Sequence, residues 1–469
     1  MPSPITQVQP PLEFIPPNFD PLVYQGMCAA LPAWMKLRVA IADVEVENTK
    51  QLVELFQQFQ AGKTRFLLAF RHPTPDDPFS LLWLLSRSVP QTARELGVSL
   101  QKPVHAHFIY DRGIPLWAGK FVGWLLPKMG CVPVKRGKAD LVSLKAVRDL
   151  FANGQFPMAA SPEGGTNGHN ELVSPLEPGI AQFGFWCVED LQKAGRTESV
   201  SLLPVGIQYH YITPPWRSLE QLLLDLESDT GIRASVAPTA YLGLQDGDEP
   251  TPEQQTQLYQ RLLRLGETLL TQMEAYYGKY YGRSLVTPDL PADADPNTRL
   301  AARLKSLLDT ALKVAEEFFA IAPKGSLTDR CRRLEQAGWE RIFREDLNLE
   351  ALSPAERGLA DRIAEEADLR IWHMRLVENF VSVTGRYVME KPTAERFAET
   401  LLLLRNMVNR LKGEAPKPPL RLGPRRVVMT VGTPLSVSDR AEQYRANRRE
   451  AVSQLTQDLQ AAMEGLIRG

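Results

Sequence analysis

A chain of 469 residues, 44% hydrophobic and 23% charged, can bury a sizeable core and form two or three domain-sized units. With 54 basic against 55 acidic residues its net charge is -1, which excludes a global basic field for nucleic acid and makes any anion site local. The longest apolar stretch, Ile114 to Met129, is interrupted by Lys120 and Lys128, so no membrane-spanning helix is expected.

Cys28, Cys131, Cys187 and Cys331 are scattered without metal-type spacing and read as reduced thiols of a cytoplasmic protein. The N-terminal MPSPITQVQPPLEFIPPNFDP has no basic stretch followed by an apolar one and is not expected to act as a signal peptide. Residues 1–35 are Pro-rich and irregular, and apolar positions between Lys36 and Gln60 suggest one or two helices. Thr64–Phe70 (TRFLLAF) has the continuous apolar character of a buried strand. It runs into RHPTPDDP, where Asp76 or Asp77 can cap a following helix.

Further buried-strand patterns lie at 105–110, 131–135, 156–160 and 201–211, with helical patterns at 115–128 and 139–153 between them. Strands alternating with helices predict an α/β domain: a mainly parallel sheet flanked by helices. From about residue 214 the apolar spacing becomes helical over 217–229, 252–277, 297–320, 328–345, 353–384 and 392–412. A last strand at 426–431 and a closing helix from 439 complete the chain. The expected organisation is an irregular and helical segment over 1–60, an α/β core over 61–213, a long all-helical insertion over 214–424, and the core's final strand and helix over 425–469.

Chemistry concentrates in short segments. His72-Pro-Thr-Pro-Asp-Asp77 sets a histidine and an aspartate five positions apart at a strand-to-helix turn. An imidazole that takes a proton from a hydroxyl needs its other ring nitrogen held, usually by a carboxylate, and Asp77 can fold back to do so. No serine or cysteine stands nearby as a nucleophile, so direct attack by a substrate hydroxyl is the simpler mechanism. Gly130 through Lys135 and Arg136 forms a turn, a short strand and two cations, and Arg136 offers a planar fork for a phosphate. Ser161-Pro-Glu-Gly-Gly-Thr-Asn167 is a small-residue loop at a strand end, where backbone N–H groups approach an anion closely. Leu202-Leu-Pro-Val-Gly206 opens a strand.

In this order the segments resemble the glycerolipid acyltransferase family that includes the 1-acyl-glycerol-3-phosphate acyltransferases, with its H-x4-D, G-x5-R, F-P-E-G-T-R-like and V-P-V-like blocks. His72 and Asp77 match the first block, Gly130 and Arg136 the second, Pro162, Glu163 and Gly164 the third, and Pro204 the fourth. The third block here carries an extra glycine, and Asn167 follows Gly-Thr where the family has arginine, so Arg136, Lys135 and Lys138 are left to carry a phosphate. The resemblance spans about residues 60–213 and implies an enzyme that moves an acyl group from acyl-CoA or an acyl carrier protein thioester. The acceptor it implies is a glycerophosphate lipid, lysophosphatidate or glycerol 3-phosphate, in phospholipid biosynthesis at the membrane surface. His72 would be the general base and Asp77 its orienter. Lys135, Arg136, Glu163, Gly164, Gly165, Thr166 and Pro204 would surround the acceptor, with no cofactor and no metal. A different alcohol or a lysophospholipid is the rival acceptor, and a non-catalytic membrane-peripheral scaffold the rival role.

His105 and His107, two apart on a strand, could ligate a metal, but no acidic or Cys partner is grouped with them and structural roles fit better. Trp117, Phe121, Trp124 and Leu125 fall at helical spacing and suit either a core or a face that dips into a bilayer.

Overall fold

The computed structural model describes residues 5–135, 140–232, 242–285, 290–291, 293–378, 380, 386–414 and 419–468, and of Trp117 the backbone alone. In chain order the elements begin with α1 (Pro21–Trp34), β1 (Ile41–Glu47), α2 (Thr49–Gln60), β2 (Thr64–Phe70), α3 (Asp77–Trp83) and α4 (Val89–Glu95). There follow β3 (His107–Asp111), α5 (Ile114–Ala118), α6 (Lys120–Lys128), β4 (Val132–Val134), α7 (Leu141–Asn153), β5 (Met158–Ala160), α8 (Gly179–Lys193) and β6 (Ser199–Tyr211). The helices α9 (Trp216–Asp229), α10 (Pro252–Tyr281), α11 (Pro296–Phe319), α12 (Leu327–Ile342), α13 (Pro354–Glu378), α14 (Tyr387–Glu390) and α15 (Ala394–Leu411) come next. The chain then closes with β7 (Arg425–Val431), β8 (Leu435–Ser436), α16 (Ala441–Ala446) and α17 (Arg448–Glu464).

Two compact units result. The described residues of one are 14–135, 140–212 and 423–468; those of the other are 5–13 and, from 213 to 422, the helical excursion.

The first unit is mixed α/β, with a mostly parallel central sheet ordered β1-β7-β6-β2-β5-β3-β4 and β8 beside β6. β2 lies parallel between β5 and β6, with Ala69 opposite both Ala160 and Pro204. β7 runs antiparallel to β6 and carries β1 parallel on its outer side. Alternation along β2 divides its residues between two cores. Phe66, Leu68 and Phe70 join residues of α1, α2, α3 and α4, while Leu67 and Ala69 join α7, α8 and α17. A strand buried on both faces has no polar face to show, which is why TRFLLAF reads as one apolar run.

The stretch read as one or two helices between 36 and 60 is corrected by the structure: only α2 is a full helix there, after a short π turn over Met35–Val39 and the edge strand β1. Ile41 and Val44 are three apart and mimic a helical face, yet Asp43 and Glu45 of Ile41–Glu47 are exposed, as on an edge strand.

In the second unit the long helices carry their own start signals. Thr251 and Ser326 form capping boxes with Gln254 and Asp329, and Asp295 and Thr393 cap α11 and α15. Arg261 of α10 is buried against Glu220 and Glu227 of α9, and Arg330 of α12 against Glu316 and Asp309 of α11. Residues 5–13 belong here as well: the N–H groups of Ile5 and Val8 donate to Asp368 and Asp361 of α13. No helix among the described residues is long and apolar enough to cross a membrane.

Candidate functional site

The carboxyl ends of parallel strands are where open α/β sheets place ligands, because the loops there leave the sheet in different directions. Two such loops meet here. One follows β2 (residues 71–76), the other follows β5 (residues 161–175), and Gly168 N–H donates to the Pro73 carbonyl across them at 3.2 Å.

The β2 loop folds back on itself. Asp77, the first residue of α3, is fully buried and accepts His72 Nδ1–H at 2.8 Å through Oδ2. The same oxygen accepts Thr74 N–H at 3.1 Å. Its other oxygen accepts the Tyr209 hydroxyl at 2.6 Å, and that hydroxyl also meets Ser80 Oγ at 3.0 Å. Burial and then the Asp77 charge push the Tyr209 phenol well above its ordinary value, which keeps it a donor. With Nδ1 held, Nε2 of His72 is the nitrogen available to take a proton, and the side chain is 23% exposed, enough to be reached. Asp76 is not a side-chain cap; it pairs with Arg425 of β7 at 2.7 Å, and the Arg425 guanidinium lies 4.8 Å over the Tyr209 ring. The closing strand therefore braces the histidine's support.

Glu163 was expected at the acceptor, and the structure assigns its carboxylate another task. One oxygen accepts His72 N–H at 2.8 Å and lies 3.5 Å from Arg71 Nε; the other accepts Asn167 Nδ2 at 2.9 Å and Ser174 N–H at 3.0 Å. The side chains of Glu163 and Arg71 are both fully buried. The carboxylate is consumed in tying the two loops together and fixing the backbone of His72. Arg71 adds bonds to the carbonyls of His169, Asn170 and Leu172, holding the β5 loop as a buried clasp. Asn170 completes it: its amide donates to Tyr209 C=O at 2.7 Å and accepts from Tyr209 N–H at 2.9 Å. Beyond Val205, β6 has outrun β2, and this side chain pairs the backbone that the ladder leaves over.

The remaining expected residues fall in several places. Gly164, at φ +71°, occupies the left-handed region that a turn there requires. Gly165 is half-buried beside it, and Thr166 is exposed. Pro204 lies buried in β6, the strand its segment was expected to open, with its carbonyl accepting from Gly432 N–H at 2.9 Å. Lys135 follows β4, three strands from β2 in the sheet order and so about 14 Å away at ordinary strand spacing. Arg136 and Lys138 lie outside the described residues.

His105 and His107 are buried anchors of the turn before β4. His105 Nε2 bonds the Met129 carbonyl and His107 Nδ1 that of Gly130, each at 2.8 Å. Burial drives both rings toward the neutral form, His105 down to about 4. No group of three potential metal ligands occurs among the described residues.

Arg71, Asn167, Asn170, Ser80 and Tyr209 are the supporting residues that sequence reasoning missed. A charged residue closing a fully apolar strand run was a signal for Arg71; nothing in local spacing links position 209 to position 77. No family model, no curated protein and no solved structure matches this chain.

Proposed function

We propose that the protein is an O-acyltransferase that moves a fatty acyl group from a CoA or acyl carrier protein thioester to the hydroxyl of a glycerophosphate lipid. The observation that carries this reading is the chain Tyr209–Asp77–His72, with one ring nitrogen of His72 held and the ring accessible. In the proposed reaction His72 Nε2 takes the acceptor hydroxyl proton as the oxygen attacks the thioester carbonyl. The tetrahedral intermediate then collapses with cleavage of the C–S bond, and the leaving thiolate takes the proton back from the imidazolium. Asp77 stabilises that imidazolium and keeps the ring oriented. An acyl-enzyme route through Cys131 or Cys187 is disfavoured, since burial pushes both thiols up to about 12.

The order of the sequence blocks supports the choice of a glycerophosphate acceptor, with Arg136 as its phosphate contact. A lysophospholipid or another alcohol is the second reading. It is favoured by Asn167, which stands where the resembled family has arginine and spends its amide on Glu163 and the Leu172 carbonyl. Exposed Leu116, Phe121 and Trp124 on α5 and α6 support peripheral attachment to a lipid surface.

The test is transfer of labelled acyl groups to a panel of glycerol 3-phosphate, lysophosphatidate and lysophospholipids by the purified protein. His72→Ala should lose about 10²–10⁴-fold in rate while still unfolding in one cooperative transition. An undiminished rate in that variant would refute the mechanism, and the acceptor that is used decides between the two readings.

A further inference from the structure

We propose that Arg425, the first residue of β7, is a positioning residue for the reaction: it holds Asp77 in the orientation that turns Nε2 of His72 toward the acceptor hydroxyl. The role in turnover rests on the acyl-transfer reading; the hold on the ring does not.

Asp77 has two supports, and Arg425 touches both while making no hydrogen bond or ion pair with Asp77 or His72 among the described residues. Along the chain, its guanidinium pairs at 2.7 Å with Asp76, the residue before Asp77. The two side chains are largely buried, 13% and 8% exposed. On the donor side, the guanidinium lies 4.8 Å over the ring of Tyr209, whose hydroxyl donates to Asp77 Oδ1 at 2.6 Å. One register produces both contacts. Arg425 stands opposite Tyr211 in the β6–β7 ladder, which makes Tyr209 its diagonal neighbour on the same face, within reach of a long side chain.

The arginine is itself anchored. Its backbone N–H donates to the Ala40 carbonyl at 2.7 Å, and its guanidinium donates to the Val39 carbonyl at 3.3 Å. β1 pairs with it on one side and β6 on the other. For the Asp77 carboxylate to turn, residue 76 or the Tyr209 hydroxyl must give way, and Arg425 opposes both. Its charge also offsets that of Asp76, a second buried carboxylate beside Asp77 that would otherwise repel it. A lysine keeps the charge but cannot lie flat on a ring while forking onto a carboxylate.

The test compares the full-length protein, labelled with 15N-histidine, with its Arg425→Met, Arg425→Lys and Asp76→Asn variants. Two readouts are taken below the melting transition: steady-state acyl transfer, and the NMR signal of the His72 Nδ1–H proton, assigned by its absence from His72→Ala. Arg425→Met should lose about 10- to 100-fold in kcat with KM nearly unchanged, as a displacement of about 1 Å does. Its Nδ1–H signal should broaden through exchange with water. Arg425→Lys should recover part of both, and Asp76→Asn, which leaves the stack on Tyr209, should fall between wild type and Arg425→Met. A residue that only stabilises the fold would leave kcat and the proton signal unchanged in the folded protein. If Arg425→Met fails to fold, the two milder variants decide. An Nδ1–H signal unchanged in every folded variant, or a loss confined to KM, would overturn the proposal. Absence of transfer by the wild type would refute the acyl-transfer reading instead, and the proton signal would then decide whether Arg425 holds the ring.

Discussion

Replacing Glu163 by glutamine keeps the shape of the side chain and removes its charge, in a place where four protein donors compete for two oxygens. Whichever way the amide turns, its NH2 group faces donors: either His72 N–H with Arg71, or Asn167 with Ser174 N–H. Arg71, fully buried, is left without its counter-charge. Breaking one side of a buried ion pair costs about 3–5 kcal/mol. For a unit of roughly 240 residues, each kcal/mol moves Tm by about 2–4 °C, so Glu163→Gln should melt about 6–20 °C lower. Differential scanning fluorimetry or circular dichroism of the full chain measures this. Arg71→Met should cost a comparable amount, and the double variant should lose less than the sum by about 0.5–3 kcal/mol, because the two residues stabilise one another. A Glu163→Gln protein that melts within about 2 °C of wild type yet loses acyl transfer would refute this reasoning and return the carboxylate to the substrate.

Tyr209→Phe leaves Asp77 Oδ1 buried without its donor. It should destabilise the α/β unit by about 1.5–3 kcal/mol and lower kcat with little change in KM, read from melts and steady-state rates. The buried His105 and His107 rings stay neutral in the folded chain but charge near 6.5 when it unfolds. Stability should be flat above pH 7 and fall as pH drops from about 6.5 toward 4, by on the order of 3 kcal/mol for His105 alone; His105→Gln should flatten that limb in a pH series of melts. The double variant Phe121→Ser, Trp124→Ser should reduce sedimentation with anionic liposomes at least tenfold, since both side chains are exposed and apolar; unchanged binding would remove α6 from the interfacial role.

Legibility from sequence followed physical range. The spacing of His72 and Asp77 is local, closed within one turn of chain, and their hydrogen bond could be anticipated from residue types alone. The long helices of the excursion announce themselves through caps and period, from Thr251 of α10 to Thr393 of α15. By contrast Tyr209 lies 132 positions from Asp77, and Glu163 lies 91 from His72. Only the pairing of β6 and β5 on either side of β2 brings them in. β1 was missed because an edge strand that exposes alternate acidic residues lacks the apolar run that marked β2. Glu163 was placed at the acceptor because it falls in the block that resembles the family's third motif; its buried partner Arg71 becomes visible only in three dimensions.

The bond from Arg425 to Asp76 also sets a clock on synthesis. A ribosome that has delivered residues up to Ile212 has supplied His72, Asp77, Glu163 and Tyr209, but not β7. At 5–20 residues per second the intervening excursion takes roughly 10–40 s to translate. Throughout that interval the long strand β6 presents an unpaired edge from Val205 to Tyr211, the stretch that β7 later covers. Such an edge is an invitation to foreign strands. The nascent chain thus passes through a window in which it is prone to mispairing, and a chaperone that shields strand edges would act there, before the excursion is complete.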